Sequence, residues 1–437
     1  MTTSVAPSVA IGGQGPAVAW QVFDVGRVLA DIQDLYLDSA TPWIIGYSGG
    51  KDSTTVLQMV FYALAALPPE RLIKDVHVIC NDTLVENPAI RGYVERQLGL
   101  IECAGKGMLF KHNPTLFHVD RVHPVLEDRF WFNLIGNGYP SPNRWFRWCT
   151  ERLKIEPTSQ YCRATIKNCG RIVIVLGTRK AESANRALSM RKHDTGQRLR
   201  SHSLPGAFVY APIQDLSNNE VWAYLLQAPS PWGGDNREIL RMYESACTGG
   251  ECPFVVETGT QSCGKSRFGC WVCTVVDRDR SMESLVENGE AWMEDLLLLR
   301  NWLYNIRQQT NQYVPKHLES KAKFGPFLLR TRLQILERLL RVQDGLSLEL
   351  ISAQELGAIR NMLAIESKFR TDGEMTKFVL EVASGGRVDV VSDSNLLQTP
   401  RKRLGPFDLK KARLVETARV SSEYSRSTRV MYYRVSQ

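Results

Sequence analysis

From Gln21 to Leu37 the apolar residues Val22, Val25, Val28, Leu29, Ile32 and Leu35 recur at the three-to-four spacing of an amphipathic helix. Short apolar runs follow at WIIGYS (43–48), VHVICND (76–82), MLFKHN (108–113) and RIVIVLG (171–177), and helical stretches such as Thr54 to Leu67 separate some of them. Strands alternating with helices predict an α/β fold with a parallel, doubly wound sheet. In such sheets ligands sit outside the carboxyl ends of the strands. Three polar segments fall there and are expected to converge on one pocket: SGGKDS (48–53), Asn81-Asp82 and Gly177 to Lys180. Beyond Gln227 the pattern becomes a Gly/Cys/Pro-rich insertion, then helical sequence from Met282 to about Ile306 and from Phe327 to Val342. Residues 1–18, rich in Gly, Ala, Pro and Ser, read as a flexible leader.

The stretch IIGYSGGKDSTTVLQ (44–58) carries the strongest chemical signal. A strand, a glycine-rich turn and a helix start together aim backbone N–H groups and the positive helix end at one anion. Gly49 and Gly50 let that backbone approach closely, while Ser48 and Ser53 add hydroxyls, so a phosphate is the expected ligand. The spacing is neither that of a Walker A loop nor that of a dinucleotide fingerprint. A plain tight turn is the alternative.

Ten cysteines in a chain without an export signal point to metal or catalytic thiols rather than disulfides. Five of them, Cys247, Cys252, Cys263, Cys270 and Cys273, fall within 27 residues, and four suffice for zinc or an iron–sulfur cluster. Spacing does not choose between the two. Cys149 stands apart beside Arg144, Arg147 and Arg152, and neighbouring cations lower a thiol's pKa, which suits a sulfur carrier. A core thiol next to Trp148 is the bland alternative. The seven histidines show no ligand spacing.

The chain of 437 residues has room for two or three domains, and 43% hydrophobic content is ordinary for a globular protein. With no long uncharged apolar run and no signal-peptide pattern, no membrane association and a cytoplasmic location are expected. The net charge of +8 is concentrated in one place: Arg401 to Gln437 holds ten Lys/Arg against three Asp/Glu. Such an arm can displace counterions from a nucleic-acid backbone, or it can simply be a solvated tail.

SGGKDS matches the S-G-G-x-D-S pyrophosphatase loop (PP-loop) of the adenine nucleotide alpha hydrolase superfamily. GTRKAESANR (177–186) and FRWCTERLKIEP (146–157) are similar to segments of phosphoadenylylsulfate reductase-like proteins. With NDTLVENP (81–88), WFNLIGNGYP (131–140) and SRFGCWVC (266–273), residues 41 to about 300 resemble the DndC family, the sulfurtransferases of bacterial DNA phosphorothioation.

The resemblance implies binding of ATP through Ser48, Gly49, Gly50, Lys51, Asp52, Ser53, Asp82, Gly177 and Arg179, with Asp52 near Mg2+ and Lys51 at the motif's variable position. It favours a [4Fe-4S] cluster on Cys252, Cys263, Cys270 and Cys273, with Cys247 spare. Cys149, Asp52 and Lys51 would be the catalytic residues, and Arg186 a further phosphate neutraliser. It also implies DNA as substrate, a cysteine desulfurase as sulfur donor, and other DNA phosphorothioation proteins as partners. Five segments result: a leader (1–18), an ATP pyrophosphatase domain (19–227), a Cys-rich iron–sulfur segment (228–280), a helical region (281–400) and the basic tail (401–437). Thiolation of tRNA or reduction of an adenylylated sulfate by the same loop is the first alternative. A nucleotide- and cluster-gated DNA-binding module is the second.

Overall fold

The computed structural model describes residues 23–182, 197–246, 269–314 and 325–367, together with strands at 412–415 and 432–435. The first helix, α1 (Val25–Asp38), starts where Asp24 caps it, the carboxylate accepting the Arg27 amide at 3.0 Å. Six strands follow: β1 (Trp43–Gly46), β2 (Val76–Asn81), β3 (Phe117–Val122), β4 (Ile172–Val175), β5 (Arg200–Ser201) and β6 (Ala207–Tyr210). They form one sheet in the order β3-β2-β1-β4-β6-β5, parallel throughout except for the β5–β6 pair at the edge. The predicted doubly wound α/β architecture is the observed one.

Side-chain alternation explains why both faces are covered. Trp43 and Ile45 of β1, with Val173 and Val175 of β4, enter a core shared with α1, α2 (Lys51–Ala65) and α3 (Pro88–Ala104). Ile44, Ile172 and Ile174 point the other way, toward Cys162 on α4 (Glu156–Cys169). Strands buried on both faces read as continuous apolar runs, as these do. From β1 the chain steps outward to β2 and β3, then returns to place β4 on the other side of β1. The switch point therefore lies between the carboxyl ends of β1 and β4, where such sheets take their ligands.

Two expectations are corrected. MLFKHN is not a strand: α3 runs on into a π-helical turn, Gly105–Leu109, and the edge strand is Phe117–Val122 instead. A Cβ on Gly105 would lie 2.0 Å from the Phe117 ring, so this apolar stretch packs beneath the strand rather than forming it. The helical run from Met282 is two helices, α7 (Arg280–Glu287) and α8 (Glu294–Gln308), broken at Gly289, whose φ of +123° is a conformation L side chains rarely adopt. Between β6 and this run lie α5 (Asn218–Gln227) and α6 (Asn236–Ser245).

A second core joins the segment between β3 and β4 to the C-terminal helices. Phe130, Trp131, Leu134, Ile135 and Trp148 pack with Trp271, Val272 and the buried faces of α7, α8, α9 (Leu329–Leu346) and α10 (Ala353–Ser367). Polar bonds fix the join: the Trp131 indole donates to the Leu350 carbonyl at 2.9 Å, and the Phe132 amide to the Glu355 carboxyl at 2.9 Å. In the basic tail, β7 (Ala412–Val415) pairs antiparallel with β8 (Tyr432–Val435). No helix of the described residues is long and apolar enough to cross a membrane.

Candidate active site at the carboxyl ends of the strands

The glycine loop leaves β1 at Gly46 and enters α2 at Lys51. Gly49 has φ +72°, and a Cβ there would come 2.5 Å from Val94, so both its conformation and its packing require glycine. Gly50 is the N-cap of α2 and has no side chain with which to satisfy the first amides, which leaves them open to an anion. Ser53 ties the loop together: its Oγ accepts the Ser48 amide at 3.2 Å, donates to the Gly50 carbonyl at 3.0 Å and lies 3.1 Å from Ser48 Oγ.

Strand β4 closes the other wall. A Cβ on Gly177 would lie 2.8 Å from the Asp52 carbonyl and 2.9 Å from the Ser53 amide nitrogen, so the backbones touch where the helix begins. Arg179, 2% exposed, donates from Nε to Asp52 Oδ1 at 2.6 Å and from its terminal nitrogen to the Leu216 carbonyl at 3.1 Å. Lys51 Nζ holds the second Asp52 oxygen at 2.7 Å. One carboxylate thus bridges two cations at a helix start and leaves a net positive charge there. Phosphate groups entering the loop would meet both cations, and the oxygens of Asp52, Ser48 and Ser53 are the hard donors that suit Mg2+ shared with phosphates. Gly177→Ala is expected to push β4 off α2 and, through overpacking of about 1–3 kcal/mol, to weaken binding of a phosphate ligand at the loop roughly tenfold while far-UV circular dichroism stays native, measurable by calorimetric titration with inorganic pyrophosphate.

The end of β2 brings the thiols alongside. Asp82 uses its carboxylate within its own turn, accepting the Leu84 amide at 2.8 Å, and Leu84 adopts a left-handed φ of +61° that is uncommon without glycine. Thr83 Oγ1 then lies 3.3 Å from Cys270 Sγ. Backbone pairing between Glu86 and Cys270, and the Trp271 amide bonded to the Val85 carbonyl at 3.1 Å, hold the C-x2-C turn against β2. That turn is closed by the Cys273 amide donating to the Cys270 carbonyl at 3.0 Å.

Cys149, set apart from the cluster by its sequence position, sits beside this pair. Burial pushes its thiol up, the nearby Cys273 adds to that, and Lys154 and Arg147 only partly oppose it. The expectation of a thiol lowered by Arg144, Arg147 and Arg152 is therefore not met: Arg152 is turned to Asp128. Cys270 is pushed up to about 11, chiefly by burial. Lys154 is held up in turn, first by Cys270 and then by Glu86 and the other two thiols. Cys149, Cys270 and Cys273 are shielded thiols around Lys154 at a C-x2-C turn, a donor type that suits a thiolate-bound centre, although their three sulfurs do not all lie within 4.8 Å of one another. Cys247, Cys252, Cys263 and Arg186 lie outside the described residues.

Sequence reasoning missed Thr83, Glu86 and Lys154, which reach the thiols only through the fold, and it missed a histidine pair. Asp75, His77 and His118 are the one group of metal-ligating types among the described residues with donor atoms within 4.8 Å of one another. The two imidazole rings stack at 4.3 Å and 11°. Ring-nitrogen lone pairs lie in the ring planes, so nearly parallel rings do not aim at a common ion. His77 Nδ1 is 2.9 Å from the Tyr161 hydroxyl, and burial, with His118 adding to it, pushes its pKa down to about 4. This is a stacked pair at the amino end of the sheet, away from the loop, in which the His77 ring is held neutral.

Fold and loop define a doubly wound α/β protein with a glycine-rich strand-to-helix loop at its switch point. No family profile matches the chain. It is 24% identical over 274 residues to the uncharacterized protein MJ0066 of Methanocaldococcus jannaschii, a stretch covering 62% of this chain and 44% of that one. The chain thus spans less than half the length of that relative. Among solved structures it overlaps the phosphoadenylyl-sulfate (PAPS) reductase of Candida auris in its phosphate complex, at 13% identity and TM-score 0.28, over 48% of this chain and 87% of that one. It also overlaps the U34-tRNA thiolase NcsA of Methanococcus maripaludis with its [4Fe-4S] cluster, at 11% identity and TM-score 0.29, over 68% and 83%. Overlaps at that level are too loose to argue from, and the fold assignment rests on the sheet itself.

Proposed function

We propose that the protein is an ATP pyrophosphatase that couples cleavage between the α and β phosphates to sulfur transfer. Within that class, we read it as a sulfurtransferase of the DndC kind, acting on the DNA backbone. A non-bridging phosphate oxygen of DNA attacks the α-phosphorus of ATP and pyrophosphate leaves. Sulfur carried as a persulfide on Cys149 then attacks the activated DNA phosphorus, AMP departs with the original oxygen, and a thiol reductant cleaves the remaining sulfur–sulfur bond. In this scheme the glycine loop, Lys51 and Arg179 hold the departing pyrophosphate, Asp52 positions Mg2+, and Asp82 closes the turn beside the nucleotide. Cys270 and Cys273, with Cys252 and Cys263, would hold a [4Fe-4S] cluster, which supplies a redox-active, sulfur-rich centre when bound. DNA, a cysteine desulfurase and further phosphorothioation proteins are the proposed partners.

What carries this reading is adjacency: the anion loop at the end of β1 and the thiols at the end of β2 occupy neighbouring strand ends of one sheet. A nucleotide site and a sulfur site so placed can share one phosphorus atom. The test is product analysis with ATP, Mg2+ and DNA. AMP and pyrophosphate support the reading, whereas ADP and orthophosphate would sink it.

A further inference from the structure

At the edge of the second core, the turn Asn143 to Arg147 holds a large aromatic ring out in solvent. Trp145 is 96% exposed and Phe146 43%. The turn is not slack. Asn143 Oδ1 accepts the amides of Trp145 at 2.8 Å and Phe146 at 2.9 Å, and the Asn143 amide donates to the Phe146 carbonyl at 3.2 Å. On one side the Pro142 carbonyl is held by Thr274 Oγ1 at 2.7 Å and by the Arg307 guanidinium. On the other, the buried Trp148 donates its indole N–H to the Pro140 carbonyl at 3.0 Å.

Arg144 and Arg147 flank the ring, both exposed and neither paired with a carboxylate of the described residues, unlike Arg152, which is bonded to Asp128. From Tyr139 to Thr150 the sequence contains no acidic residue. The turn leads within two residues into Cys149, beside Cys270 and Cys273.

We propose that this turn is a nucleobase-stacking platform. Trp145 stacks on an unpaired base while Arg144 and Arg147 hold the phosphates on either side, and the turn delivers the intervening backbone to the thiol pocket. Aromatic faces interleaved with free cations are what a single-stranded nucleic acid needs, since every base has a π-face and every linkage a charge. A rigid turn adds the advantage that little ordering is lost on binding. The platform rests on the proposed sulfurtransferase reading for its assignment to DNA.

The experiment is fluorescence anisotropy of labelled single-stranded and duplex DNA oligonucleotides with the full chain, across a salt series. Trp145→Ala is expected to weaken single-strand binding roughly tenfold with an unchanged salt slope, while Trp145→Phe keeps most of the affinity. Replacing both Arg144 and Arg147 by Gln should instead flatten the slope by about 1.4 units for a single strand. Thermal midpoints of all variants should match the parent. Parental binding by Trp145→Ala overturns the platform and leaves the sulfurtransferase reading standing. If that variant also melts earlier, the ring is covered by the protein itself or by another copy, and the platform is overturned as well. A parent chain that binds no DNA at all overturns both.

Discussion

Asp52→Asn should leave the protein folded and reduce pyrophosphate release by about a thousandfold, the upper end of what one preorganised charge contributes at a site of this kind. The carboxamide would keep the size of the side chain and an oxygen for Arg179. It would lose the charge that holds Arg179 and Lys51 in place and that a Mg2+ shared with the phosphates requires. Asp52→Ala adds a second effect. Both variants take the counter-charge from the almost fully enclosed Arg179, but only alanine also removes the oxygen that accepts its Nε–H, and an unmet buried donor costs about 1–3 kcal/mol. The two variants should therefore lose activity alike and differ in thermal midpoint. A coupled pyrophosphate assay beside a melting curve separates them. Near-parental turnover in Asp52→Asn would remove the carboxylate from the chemistry.

The cysteines give the other large effect. Protein purified without oxygen should be brown, and Cys270→Ser or Cys273→Ser should lose colour, iron and thermal stability together, because ligation is part of the folding free energy. Cys149→Ser should keep its iron and its pyrophosphate release but lose sulfur transfer, since the carrier is gone while the nucleotide pocket stands. Because Cys149 lies beside the C-x2-C turn, its iron count decides its role. Full iron with no transfer makes it the carrier. Loss of iron makes it a ligand and removes it from the transfer step.

Much of this site was legible because its parts are local. Ser48 to Ser53 is one strand-turn-helix, and the run of Trp43, Ile44 and Ile45 announces a strand covered on both faces. Arg179 could be placed at a strand end but not paired, because its bond to Asp52 joins residues far apart in sequence. The same holds for Thr83 and Lys154, which meet Cys270 only once β2 and α4 are assembled. Strand β6 went unseen as four short residues between turns, and MLFKHN misled because its apolar residues serve packing under Phe117 rather than a ladder. The raised thiol of Cys149 could not be read from neighbouring arginines, since burial outweighs them and Arg152 is committed to Asp128.

Sulfur in the DNA backbone is the central claim, and nuclease digestion followed by mass spectrometry of DNA from cells with and without this protein tests it most directly. The account predicts a phosphorothioate-linked dinucleotide that is present with the protein and absent with Asp52→Asn or Cys149→Ser. DNA free of such dinucleotides, with thiolated nucleosides appearing in tRNA instead, would contradict it.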